Sequence, residues 1–343
     1  MDSTIISMIN YKGGVGKTVS SFNIGFGLAF LNSARVLLID LDPQCSLSTI
    51  CLNAISRSRG ENIDLSQLSE EQTINSVIKD YLTTGENNNP NINLDNIITK
   101  IPYKRHNGTI FENVDFISAT MFDNKDNYYE RGLDDLEIEI VRNYSNKISD
   151  INLVTIFSRF LLDTKINEMY DFIIFDCPPA NNIITQNALA VSDFYLIPTI
   201  MDSLSSNGIN HLINLIDNSI FAGLYQANKG IIDRCRPGSQ YYCLKNPPRL
   251  LGIFETLRKT IVKYNNREIV KLRFGDYLFD EIIYDHKDTG DYTGDGYSCF
   301  SLNINQNNPQ YAPHTNYGNL VLSILKRLGI KKNNNGVRIN SWL

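Results

Sequence analysis

The chain reads as an α/β protein with a doubly wound, mostly parallel sheet flanked by helices. Three features of its 343 residues point there: short, nearly continuous apolar runs, helix-length stretches between them, and a glycine-rich loop joining the first run to the first helix. Strands covered on both faces lose the polar–apolar alternation of a one-sided sheet. The intervening helices supply the crossovers that parallel strands need.

T-I-I-S-M-I-N (4–10) is expected as a buried strand, and K-T-V-S-S-F-N-I-G-F-G-L-A-F-L (17–31) as a helix with Phe22, Phe26, Leu28 and Phe30 on or near its packed side. R-V-L-L-I-D-L (35–41), V-D-F-I-S (114–118), D-F-I-I-F-D (171–176), F-Y-L-I-P (194–198) and R-L-L-G-I-F (249–254) repeat the strand style. The pattern weakens between Leu52 and Asp150, where E-N-N-N-P-N-I-N (86–93) reads as a mobile loop and Q-T-I-N-S-V-I-K-D-Y-L (72–82) as an amphipathic helix. Residues 1–330 are expected as one domain with an elaboration at about 52–150, and 331–343 as a solvated tail. N-L-V-L-S-I-L-K-R-L-G-I (319–330) is expected as a closing core helix.

A hydrophobic share of 42% and a charged share of 20% are those of a soluble globular protein. The longest apolar runs are strand-sized, against any membrane-spanning helix. The N-terminal M-D-S-T carries an acid and no basic region, against a secretory signal. The six cysteines form no C-x-x-C pair, so they are expected as buried free thiols in a reducing cytoplasm, against an iron–sulfur or zinc site. The net charge of −5 hides a basic block: Gly223–Gly275 holds eleven Lys or Arg against three acids, and Asp276–Gly296 seven acids against one lysine. Such a block suits a polyanion.

The chemistry gathers at strand ends. In N-Y-K-G-G-V-G-K-T (10–18), Gly13, Gly14 and Gly16 leave backbone N–H groups free to close around an anion, and the next helix adds its own unpaired N–H groups. Lys17 would reach the β- and γ-phosphates, and the Thr18 hydroxyl would ligate Mg²⁺. Asp176 closes one apolar strand, while Asp40 and Asp42 close another, where metal-side acids are needed. Tyr11 stands where the common phosphate-loop pattern has glycine, and an extra lysine, Lys12, follows it.

Together K-G-G-V-G-K-T (12–18), V-L-L-I-D-L-D-P-Q (36–44) and D-F-I-I-F-D-C-P-P (171–179) resemble the ParA/MinD family of deviant Walker A phosphate-loop ATPases, most strongly its ParA-type partition members. The likeness covers about two-thirds of the chain, continuing through N-A-L-A-V-S-D-F-Y-L-I-P (187–198). It implies ATP and Mg²⁺ as cofactors, with Lys12, Gly13, Gly14, Val15, Gly16, Lys17, Thr18 and Val19 around the nucleotide. It implies catalytic roles for Lys12, Lys17 and Asp42, metal contacts from Thr18, Asp42 and Asp176, and switch positions at Asp40, Pro178 and Pro179. Lys12 would reach across an ATP-dependent homodimer to the opposite nucleotide, and Asp42 would position the attacking water.

The resemblance further implies slow hydrolysis stimulated by an adaptor or centromere-binding protein, in the cytoplasm over the nucleoid. Nonspecific DNA would meet the basic block, with Arg249, Arg258, Lys259, Lys263, Arg267, Lys271 and Arg273 as candidates beside Arg234, Arg236 and Lys245. The alternative is a MinD-like positioner on a membrane surface, which needs a basic amphipathic helix at the C-terminus. The sequence departs from the family at Val19, at Cys45 where glycine commonly follows D-P-Q, and at Tyr284-Asp285-His286, which occupy the places of an adenine-holding stretch.

Overall fold

The computed structural model describes residues 3–84, 90–104, 110–122, 132–144, 148–259, 266–301 and 312–331. Lys263, the first half of the asparagine-rich loop and the tail from 332 lie outside the described residues. The strands are β1 (Thr4–Met8), β2 (Val36–Asp40), β3 (Thr99–Lys100), β4 (Tyr103–Lys104), β5 (Ile110–Phe111), β6 (Val114–Ile117), β7 (Phe172–Asp176), β8 (Phe194–Thr199), β9 (Arg249–Arg258) and β10 (Leu278–Tyr284). Eight of them make one sheet in the order β10-β9-β8-β1-β7-β2-β6-β3, and β4 pairs with β5 apart from it. Every pairing in the large sheet is parallel except β3 with β6.

Alternate residues of the central strands feed two separate cores. Ile5, Leu37, Ile39, Ile173 and Phe175 pack into one layer. Ile6, Met8, Leu38, Phe172 and Ile174 pack into the other. Burial on both faces is why these strands read as unbroken apolar runs. The parallel register sets Met8 beside Asp176 and Asp40 beside Asp176, so the carboxyl ends of β1, β7 and β2 finish level. Loops leaving those three ends therefore meet at one place, the crevice where open α/β sheets bind ligands.

Helix α1 (Lys17–Asn32) follows β1 and α2 (Ser46–Arg59) follows β2. Along α1 the expected aromatics are all buried, and so is nearly every other residue. Its two glycines are spaces for neighbours: a Cβ at Gly25 would lie 2.7 Å from a Leu38 methyl, and one at Gly27 would lie 2.7 Å from a Val321 methyl. Helix α3 (Ile74–Thr84) matches the amphipathic stretch, burying Ile74, Val77, Ile78, Tyr81 and Leu82 at helical spacing.

The helix Pro313–Arg327 buries Leu320, Val321, Ile324 and Leu325, packing on α1 and β10. Its apolar face closes the core, as expected, and is not offered to a lipid surface. Strand β9 runs four residues beyond its expected end at Phe254, to Arg258. All six cysteines are free thiols, with Cys235 and Cys243 only half-buried. Among the described residues, no helix is long and apolar enough to cross a membrane.

Candidate functional site

The loop between β1 and α1 turns on two left-handed glycines, Gly14 at φ 68° and Gly16 at φ 76°. That region costs an L-residue about 1–2 kcal/mol, which is why the turn is written in glycine. Nothing lies within 4 Å of where a Cβ at Gly13 or Gly14 would sit. The loop thus opens onto free space at the head of α1, and no side chain caps that helix. Its first N–H groups remain available to an anion.

Lys17 is only 7% exposed. Its Nζ curls back over the loop and donates to the Asn10 carbonyl at 3.0 Å and the Lys12 carbonyl at 3.3 Å. Asn10 is itself braced, donating to the Pro198 carbonyl at 2.8 Å and accepting from the Lys12 N–H at 2.9 Å. Burial lowers the Lys17 pKa, and the nearby Asp176 and Asp42 carboxylates partly restore it. A desolvated ammonium held over an anion cradle by weak carbonyl partners is poised to exchange them for phosphate oxygens.

Asp176 ends β7 beneath this lysine. Its Oδ1 accepts the Ser21 hydroxyl at 2.8 Å, while Oδ2 is sealed from solvent with no partner among the described residues. Burial pushes its pKa up to about 6, the Thr18 and Ser21 hydroxyls pull it back, and Asp42 pushes it up again. An unpartnered buried carboxylate oxygen beside a threonine hydroxyl fits the donor set of a hard divalent cation. Asp42 is half-buried at the end of the next strand, and its Oδ1 accepts the Gln44 N–H at 3.0 Å. Val15 is buried, Val19 half-buried; Pro178 is buried and Pro179 exposed just after Asp176 and Cys177.

Asp40, expected as a switch position, is held by hydrogen bonds at the head of α2. It is wholly buried, and its Oδ2 accepts both the N–H of Ser48 at 2.8 Å and the Ser48 hydroxyl at 2.7 Å. Its Oδ1 accepts the Asp42 N–H at 3.1 Å. The carboxylate caps α2 from the end of β2 and pins the turn that carries Asp42. Burial and the Asp176 charge push its pKa up to about 7, against the hydrogen bonds from Ser48 and Asp42. Cys45, the helix boundary residue, has φ 51° in the left-handed region, which explains why a glycine suits this position.

Lys12 stands on the exposed lip of the loop and forms an ion pair with Asp202, just past β8. Burial pushes Asp202 up, but hydrogen bonds from Lys12, Ser205 and the Leu204 N–H together hold it below the ordinary carboxylate range. Asp202, Ser21 and Ser48 were not found from the sequence. Only Asp202, an acid following an apolar strand, left a signal there.

Comparison with known proteins gives the family and the shared fold. Residues 3–223 match the model of a family described as AAA domain, AAA_31. The chain belongs to that family. Over 212 residues it is 32% identical to the sporulation initiation inhibitor protein Soj of Bacillus subtilis, covering 62% of this chain and 64% of that protein. It is 28% identical over 287 residues to the chromosome-partitioning ATPase Soj of Treponema pallidum, covering 82% of this chain and 83% of that one. The fold is shared with pNOB8 ParA bound to nonspecific DNA, at a TM-score of 0.51 and 18% identity, over 95% of this chain and 99% of that one.

In this AAA-domain chain the basic block divides in two. Arg258 and Arg267 are engaged with Glu255, whose side chain is 2% exposed, at 2.6 and 2.9 Å. Arg267 also donates to the Phe279 carbonyl at 2.6 Å and the Asp280 carbonyl at 3.1 Å. These two arginines, expected among the DNA candidates, are tied to Glu255 and neighbouring carbonyls instead of standing free on the surface. Arg249 is exposed and stacks on Phe194, its guanidinium 4.7 Å from the ring centroid. Arg273 donates to Ser206 and Asn207, while Lys271 pairs loosely at 3.6 Å with the open Asp280. Arg234, Arg236, Lys245 and Lys259 are exposed.

Proposed function

We propose that the protein is a ParA-like ATPase that binds ATP with Mg²⁺ at the β1–β7–β2 strand ends, dimerises on binding, and hydrolyses ATP slowly to segregate or position DNA or another cargo. The observation that carries this reading is the pairing of an open glycine cradle under Lys17 with the orphaned, buried Asp176 oxygen beside Thr18. Thr18 and Asp176 are the residues that would hold the metal, with Asp42 near them. Bound there, Mg²⁺ would neutralise phosphate charge.

The roles of the side chains follow from where they stand. Loop N–H groups and Lys17 bind the β- and γ-phosphates and orient the γ-phosphate toward Asp42. Asp42, fixed through the Asp40–Ser48 cap, positions a water for in-line attack. Lys12 reaches a partner's nucleotide only after leaving Asp202, so a second subunit supplies both the cation and the reason for exchange. The exposed DNA candidates of the basic block, Arg234, Arg236, Lys245, Arg249, Lys259, Lys271 and Arg273, would hold nonspecific DNA through phosphate contacts. The DNA-bound state of a ParA of the same fold supports that part. An adaptor that stimulates turnover belongs to the same proposal, as does a place over the nucleoid.

A phosphate-release assay tests the reading. Wild-type protein should turn over ATP slowly and only with Mg²⁺, and Asp42→Ala should bind ATP but lose turnover. Fast hydrolysis by Asp42→Ala would refute the role given to that carboxylate.

A further inference from the structure

Across the sheet from Lys17, the end of β9 touches the phosphate loop. The Thr256 side chain is buried, at 1% exposed, and its hydroxyl donates to the Val15 carbonyl at 2.7 Å. Val15 lies between the two left-handed glycines and is itself fully buried. Its carbonyl is therefore turned toward the buried end of β9. The Thr256 Cβ also stands 3.9 Å from where a Cβ on Gly16 would sit, backing the last turn before α1. Thr256 lies outside the three motifs at β1, β2 and β7.

The strand end that carries Thr256 is held on both sides. Glu255, one residue before, is clamped by Arg258 and Arg267. Leu257, one residue after, has φ 52°, a left-handed conformation rare for a leucine. That bend brings Arg258 back onto Glu255. A strained residue maintained beside a buried ion-paired cluster marks a backbone whose position matters.

We infer that Thr256 is a positioning residue for nucleotide binding: its hydroxyl holds the Val15 peptide so that the loop N–H groups face the triphosphate. The inference rests on the reading of this loop as a triphosphate cradle. Without the hydroxyl, the Val15 carbonyl loses its donor, and the peptide is free to rotate and spoil the cradle.

The test compares Thr256→Val, which keeps the shape and removes the donor, with Thr256→Ser, which keeps the donor. Affinity for a fluorescent ATP analogue with Mg²⁺ is measured on the full chain, together with thermal melting of each nucleotide-free protein. Thr256→Val should bind about tenfold more weakly, equivalent to about 1.4 kcal/mol and in the range of one buried hydrogen bond. Thr256→Ser should stay within about twofold of wild type. Thr256→Val binding as tightly as wild type would overturn the inference. So would equal weakening of both variants, or a loss that matches only the fraction unfolded at the assay temperature. Wild-type protein that fails to bind the analogue would overturn the cradle reading and this inference together.

Discussion

Two regions rich in cations behave in opposite ways. At the phosphate loop, Lys17 is buried and, among the described residues, hydrogen-bonded to two backbone carbonyls alone, beside a carboxylate oxygen with no partner among them. In the basic block, Arg267 is half-buried and saturated by Glu255 and two carbonyls. On the proposed reading the first cation is free to take a ligand, whereas the second is engaged by the fold. Charge counted along the chain cannot separate them, because what matters is which partners the backbone brings within reach.

Substitutions sharpen this contrast, and the largest effect should come from the ready cation. Lys17→Ala should weaken ATP binding by more than about a hundredfold in calorimetry, with little change in the melting temperature of the free protein. Arg267→Met should do the reverse. It leaves Glu255 buried with Arg258 alone and should lower stability by about 2 kcal/mol in urea unfolding, with a far smaller loss of ATP affinity than Lys17→Ala.

The buried acids give the loop region a pH signature. Asp40 has its pKa raised from 3.8 to about 7. A raised carboxylate pKa means that the folded state binds the proton more tightly. Its stabilisation is complete below the unfolded value and is lost as pH rises through about 7, with an upper bound of about 4 kcal/mol. The nucleotide-free protein should therefore lose stability from pH 5 to 8, and Asp40→Asn should flatten that slope in urea titrations. An unchanged slope would mean that the Asp40–Asp176 neighbourhood does not carry this charge penalty.

The smallest expected effect lies on the open face of the block. Lys271→Ala should leave stability within about 0.5 kcal/mol of wild type and reduce the salt slope of ATP-dependent DNA binding by about one. DNA binding that is indifferent to salt, nucleotide and this substitution would remove the block from the account.

Much of the loop region was legible beforehand because its cause is local. Left-handed turns need glycine at Gly14 and Gly16, and apolar runs end in Asp40 and Asp176 where strands buried on both faces reach solvent-facing loops. The parallel order of the strands then placed those ends side by side. Contacts between distant segments were not legible: Asp202 meets Lys12 across 190 positions and Thr256 meets Val15 across 241. Nothing near either residue in the sequence announces its partner. The hydrogen bonds of Asp40 were hidden for a related reason, since an acid at a strand end looks alike whether or not it also caps the following helix through Ser48.

The central claim is that nucleotide brings two subunits face to face and frees Lys12 from Asp202 to serve the opposite site. Light scattering after size-exclusion chromatography, with a non-hydrolysable ATP analogue and Mg²⁺, addresses it most directly. The mass should double from 38.9 kDa for wild type, and Lys12→Ala should bind the analogue yet fail to stay paired. A wild-type protein saturated with the analogue that remains at the single-chain mass would contradict the account.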